Sequence, residues 1–568
     1  MATTDRVKYS PVEEADELFT PEFTEYLVLL HDEFTPKVHA LREKTARVLE
    51  KALKEGVLPT YPPLSEINTG DWKVPPVPED LKKPGIEISG PASITSMFIN
   101  ALNPGPEGVR AEGDLDDDED SGGHRLIDTV TAARNRLKAV ERTLTFYNSR
   151  TEREYKIDDG EIPFFMHRER GLHLDEPEVT VDGTPIPAAI LGAALTLYHA
   201  GRAQAERGQG IYFYLPKLEL AEEARFWREF FDFSRDHVEH LKDAVISAIH
   251  LIESLPAVYQ MEEMLYELGP YAAGLNAARW DLKASILEFV MTDPESVWPD
   301  RFGVDIKTTD FLANIFRRLV AICLKRGAVP IGGMATALPS RDDEVNRVAA
   351  ESIRSDKEWE SRQGFIRAWV AHIYHMKTAA DPFKELIESG WKPTPEMYDP
   401  DNYPVEIKVP DGPITVEGTR RNVRMLIEYV EGWLNGRGAK GIDGLAGKPG
   451  IHPALMEDLA TGRMSVAQVA QRIIHVAEDT NTGQAHDFPL AKRLLQEEVE
   501  DILVQLKETV DESTEESRRA YTLAEERYRK SVKIAMWWIK NYTELNFRSL
   551  GSYTRTELEA FAKAKDAF

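Results

Sequence analysis

The chain has one cysteine, Cys323, in 568 residues, which excludes an internal disulfide and any zinc site built from several thiolates. Long apolar runs are also missing, and nothing approaches the roughly 18 residues a membrane span requires. Basic charge is scarce: 69 Lys and Arg against 96 Asp and Glu leave a net charge of −27, the wrong sign for gripping phosphate backbones or anionic membranes. The opening MATTDRVKYSPVEEADELF has neither the apolar stretch of a signal peptide nor the basicity of a transit peptide. The last three residues, Asp566, Ala567 and Phe568, do not spell a peroxisomal tripeptide, so a cytoplasmic location is expected. Phosphate-cradling GxxxxGK[ST], the GxSxG elbow and a GxGxxG after a first strand are all lacking, which removes the sequence support for a nucleotide fold or a serine hydrolase. HVEH at 237–240 is not followed by HExxH and reads as a surface pair. DLDDDE at 114–119 fails as a calcium loop, because Glu119 stands where glycine is required and Arg125 occupies the twelfth position.

What is present is a large apolar complement, 42% of the chain, with a changing texture. Residues 1–84 begin with helical periodicity (Phe23, Tyr26, Leu27, Leu30, Val38, Leu41, Val48, Leu49, Leu53) and end in a proline-rich tether from Pro59 to Pro84. From 85 to 390 short apolar runs alternate with amphipathic stretches. Eight strands are expected at 86–91, 108–115, 163–169, 211–217, 245–254, 271–280, 328–334 and 367–373, with helices such as 187–204, 219–241 and 308–326 between them. Eight strands close a (β/α)8 TIM barrel. Residues 391–568 read as a helical domain, with helices at 418–435 and 464–476 and a long charged helix from about 488 to 546. The apolar face of that long helix (Leu495, Val499, Ile502, Leu503, Leu506) is expected to pack on the barrel or on a partner chain.

The strand assignment delivers three charged residues to one rim. Arg168 ends the third strand, Glu253 ends the fifth and Asp281 follows the sixth, and the carboxyl ends of barrel strands form the active-site mouth. Two carboxylates on separate strands, without thiolate or imidazole nearby, suit magnesium, with calcium or manganese as alternatives.

At these residues the sequence resembles the malate synthases. LIESLPAVYQMEEMLYELGPYAAGLNAARWD at 251–281 is similar to the family's LIETLPA, MDEIL and GLNCGRWD blocks in order. INALN (99–103), RERGLHLDE (168–176), YFYLPKLE (212–219), GGMATALPSRD (332–342) and MEDLAT (456–461) flank it. The resemblance implies a TIM barrel with an N-terminal helical clasp and a C-terminal helical plug. It also implies an acyltransferase that condenses acetyl-CoA with glyoxylate to malate and CoA with Mg2+. Carried over residue by residue, it assigns Glu253 and Asp281 to the metal, Arg168 to catalysis, Asp458 to proton abstraction, and Ala278, Arg279, Trp280 and Asp281 to the substrate. The acidic segment GDLDDDEDS takes the place of the family's DFEDS. Asp116 and Asp117 form the expected acidic pair if strand length rules, and Glu119, Asp120 and Ser121 match if letters rule.

Three departures touch the cradle around this chemistry. Ala278 stands where the family has glycine, Leu282 follows the RWD block, and Ile373 replaces a proline beside CoA while His372 is kept. A methyl group at 278 narrows the space for the smallest oxo acid. The departures point to a related synthase or lyase acting on another 2-oxo acid or acyl-CoA as an alternative. A barrel kept as a non-catalytic scaffold is the third reading.

Overall fold

The computed structural model describes residues 5–149, 151–340, 342–442 and 455–563; the C-terminal tripeptide lies outside them. Two compact units divide the chain discontinuously. One comprises residues 1–49, 59–279 and 314–404, the other 50–58, 280–313 and 405–568. Residues 280–313, inside the expected barrel range, thus belong with the C-terminal helices.

The first unit is a closed barrel of eight parallel strands: β1 (Gly85–Gly90), β2 (Gly113–Asp117), β3 (Phe164–Arg168), β4 (Ile211–Leu215), β5 (Ile246–Ile252), β6 (Ala272–Ala277), β7 (Val329–Ala335) and β8 (Arg367–Val370). Each pairs with its neighbours in chain order and β8 closes on β1, as the eight apolar runs predict. Only β2 departs clearly from expectation, starting five residues later and running into the acidic stretch. Its five residues are all buried, which charged side chains tolerate only when paired. The helix α2 (Leu126–Glu141) supplies one counter-ion: Arg136 lies 2.6 Å from Asp116 and 3.1 Å from both Asp118 and Glu169. His167 of β3 meets the other oxygen of Asp116 at 2.7 Å.

The N-terminal segment forms α1 (Pro21–Glu55), whose buried residues Phe23, Tyr26, Leu27, Leu30, Phe34 and Val38 recur at helical spacing. Phe34 packs edge-on against Phe226 and Phe230 of the helix Ala221–His237, and the Tyr26 hydroxyl donates to Ser234 Oγ at 2.7 Å. A three-residue strand before α1, Val7–Tyr9, pairs antiparallel with Asp175–Val181, a contact no local sequence pattern announces.

The second unit contains α3 (Arg279–Phe289, from Trp280 onward), α4 (Val416–Leu434), α5 (Leu459–Ile474), α6 (Phe488–Glu508) and α7 (Glu515–Thr543). The expected single helix over 488–546 is two helices. Residues 509–514 turn the chain, and Thr514 caps α7 by accepting the Ser517 N–H. Leu495, Val499, Ile502 and Leu503 are buried in this unit, where α6 packs against α4 and α7. The apolar face is therefore explained within the unit, without recourse to a partner chain. Among the described residues no helix is long and apolar enough to cross a membrane.

Candidate active site

Strand β3 ends in Arg168, which is buried and held in one plane by a single carboxylate. Its Nε and Nη2 donate to the two oxygens of Asp117, the last residue of β2, at 2.7 and 2.6 Å. Such a two-pronged pair fixes a guanidinium in orientation as well as position. Asp117 also accepts the backbone N–H groups of Glu119, Asp120 and Ser121 at 3.0, 3.2 and 3.0 Å, so the same side chain folds the acidic loop back over the strand end. That fold presents Asp120, whose carboxylate lies 3.1 Å from Arg168 Nη1 and 2.9 Å from Lys217 Nζ.

Lys217 stands two residues beyond β4 with a φ of 57°, a left-handed conformation that a lysine adopts only when surroundings hold it. Glu253, directly after β5, supplies that hold: it accepts the Lys217 backbone N–H at 2.5 Å and lies 3.6 Å from its ammonium. Asp120, Lys217 and Glu253 thus form an acid–base–acid group at the carboxyl ends of β2, β4 and β5. Burial alone would lower the pKa of Arg168, but Asp117, Asp120 and Glu253 reverse this and hold it well above the ordinary value. Burial pushes Asp117 up, and Arg168 with the loop hydrogen bonds brings it below the usual carboxylate range. Neither charge is removed by any ordinary pH.

The outer acids behave differently. Asp116 is engaged by Arg136 and His167, and burial pushes Asp118 to about 8 against the pull of Arg136. Of the expected second-strand pair, Asp117 therefore faces Arg168 while Asp116 faces α2. Asp120, one of the residues matched by letters, joins the central group. Lys217 was not singled out from the sequence, although the rule that selects Arg168 and Glu253, a charged residue at a strand's carboxyl end, selects it too.

The residues after β6 are placed in two surroundings. The Ala278 N–H donates to the Ile252 carbonyl at 3.4 Å, which keeps its backbone beside the end of β5. Arg279 donates to Asp356 at 2.7 Å and also pairs with Glu360. Trp280 carries the Lys283 ammonium 4.1 Å and the Arg301 guanidinium 5.2 Å from its ring centre. Asp281 lies in the first turn of α3 and receives Arg463 Nη1 at 3.0 Å. Asp458 is the buried N-cap of α5, in a reciprocal box with Thr461: its side chain accepts the Thr461 N–H at 3.2 Å and Thr461 Oγ1 accepts the Asp458 N–H at 3.0 Å. These bonds orient the carboxylate before any ligand arrives.

The family model described as "Malate synthase, TIM barrel domain" matches residues 164–400, and "Malate synthase, C-terminal" matches 413–537. The "Malate synthase" of Streptomyces clavuligerus is 36% identical over 473 residues, covering 81% of this chain and 83% of that one. "Malate synthase A" of Escherichia coli strain K12 is 34% identical over 516 residues, covering 89% and 92%. The "Malate synthase" of Myxococcus xanthus is 34% identical over 464 residues, covering 81% and 82%. With a third of the residues identical over at least four fifths of each of these relatives, and with the eight-stranded barrel in place, the chain belongs to the malate synthase family.

Proposed function

We infer that this chain condenses acetyl-CoA with glyoxylate to give malate and CoA. The observation that carries the reading is the fixed, permanently charged Arg168 beside Asp120 and Glu253 at the barrel's carboxyl rim. A carbon nucleophile made from a thioester methyl needs a base and a fixed positive charge for the oxygen that becomes an enolate. Asp458 takes the methyl proton, and the Arg168 guanidinium donates to the thioester oxygen as charge develops there. The enolate carbon then bonds to the aldehyde carbon of glyoxylate, the C=O π electrons move onto the aldehyde oxygen, and that alkoxide takes up a proton to become the hydroxyl of the malyl thioester. Water cleaves the malyl thioester, the C–S bond breaks, and the thiolate leaves as CoA with a proton.

Two buried acids of the barrel rim, Asp120 and Glu253, offer oxygen donors for a divalent ion. The donor chemistry fits magnesium, since both are carboxylates and a cation, the Lys217 ammonium, already lies against them. Glu253 and Asp281 would hold the ion, which when bound supplies a Lewis acid for the oxo-acid oxygens.

Ala278 favours a second reading. Its backbone N–H donates to the carbonyl of Ile252, the residue before Glu253, and it carries a methyl group where the family has glycine. Product analysis separates the two readings. Malate from acetyl-CoA and glyoxylate, outpacing products from pyruvate or 2-oxobutyrate, supports the first. Turnover with pyruvate or 2-oxobutyrate but not with glyoxylate supports the second.

A further inference from the structure

The arginines of α4 show an imbalance. Arg420 lies 2.5 Å from Glu497 and 2.9 Å from Glu498; Arg424 lies 2.8 Å from Asp501 and 3.1 Å from Glu498. Arg421, between them in sequence, turns the other way and has no carboxylate partner among the described residues. Its guanidinium carbon lies 3.6 Å from the centre of the Phe302 ring, and among the described residues its buried Nε and Nη2 find no acceptor. Stacking satisfies the face of a guanidinium and leaves its in-plane N–H groups unspent.

A second guanidinium shares the same ring. Arg301, buried, has its Cζ 4.8 Å from the centre of Phe302, and its Nε also has no acceptor among the described residues. Its single carboxylate, Glu457, is 3.5 Å away. Asp300, nearby, is committed to Arg472 at 2.7 Å and to the Thr415 hydroxyl at 2.6 Å. Burial and the repulsion of Arg301 lower the Arg421 pKa to about 10, an effect that Glu417 and Asp300 only partly offset. Gly303, next along, is exposed, and a side chain built there would meet nothing, so the chain beside Phe302 borders solvent.

We propose that Arg301, Phe302 and Arg421 form a phosphate-binding site in the helical unit. A phosphate group can carry two charges and several acceptor oxygens, matching two guanidiniums with unspent donors better than a carboxylate does. Arg301 Nη1 donates to the Thr461 carbonyl at 3.1 Å, in the first turn of the helix that Asp458 caps. The site therefore adjoins the residue assigned as base. Its phosphate comes from the CoA substrate or from free phosphate; the former rests on the reading of function above.

Calorimetric titration of CoA into the full chain and into Arg421→Gln and Arg421→Lys, with melting curves of each with and without inorganic phosphate, tests this. If CoA supplies the phosphate, Arg421→Gln weakens CoA binding about tenfold and Arg421→Lys recovers part of the loss. If free phosphate is the ligand, it raises the melting temperature of the parent chain but not of Arg421→Gln, and CoA affinity is unchanged. Should the chain bind no CoA at all, the proposed activity fails while the phosphate arm still decides the site. Equal CoA affinities together with equal phosphate responses in parent and Arg421→Gln would overturn the proposal.

Discussion

Asp117 does two jobs with one carboxylate, anchoring Arg168 and folding the loop that presents Asp120. Arg168→Lys keeps the charge but loses the two-pronged pair, and the expected outcome is a fall in kcat of about a hundredfold with a smaller change in KM, read by steady-state kinetics. Buried histidines set a different sensitivity. Burial lowers His250 to about 4, its hydrogen bond to the Met264 carbonyl offsetting only part. An unfolded histidine titrates near 6.5, so between pH 6.5 and 4 the unfolded chain takes up a proton that the folded chain refuses. Stability is intact above 6.5 and falls as pH drops through this window, at about 1.4 kcal/mol per unit for this group. His250→Gln should flatten the difference in denaturation midpoint between pH 7 and pH 5; an unchanged slope would remove His250 from the account.

At the scale of elements, β2 shows what a charged strand inside a barrel requires. Arg136 reaches it from α2 and pairs with Asp116, Asp118 and Glu169, all buried. Arg136→Met leaves those acids without their counter-ion, and roughly 3–5 kcal/mol of stability should be lost in urea unfolding. In the helical unit, Leu494 of α6 is fully buried, and Leu494→Ala should cost about 2–5 kcal/mol by the same measurement. The elements differed in how far the sequence revealed them. Seven barrel strands announce themselves as apolar runs, because strands covered on both faces carry little polar residue. β2 hides its end, since its acids become buried only through arginines on α2 and β3 that are distant in sequence. The break between α6 and α7 is marked by Asp511, Ser513 and Thr514, but charge and helical period continue on both sides and mask it. The rim residues Arg168 and Glu253 follow from strand ends alone. Lys217 follows from the same rule, whereas the choice of Asp120 over its acidic neighbours becomes visible only once Asp117 folds the loop.

For the whole molecule, the proposed reaction draws on residues spread over almost three hundred positions of the sequence: Arg168, Glu253, Asp281 and Asp458. A magnesium ion bound to the native state alone should stabilise it by mass action. Adding magnesium to chelator-treated protein should raise the melting temperature, and Glu253→Gln should abolish that rise while the unliganded melting temperature changes little. A chain that melts identically with and without magnesium would contradict the metal assignment. The most direct test of the central claim measures free thiol released from acetyl-CoA by the parent chain and by Asp458→Asn. Release should require glyoxylate and magnesium together and fall at least about a hundredfold in Asp458→Asn of unchanged melting temperature. Release without glyoxylate, or undiminished release by the folded variant, would contradict it.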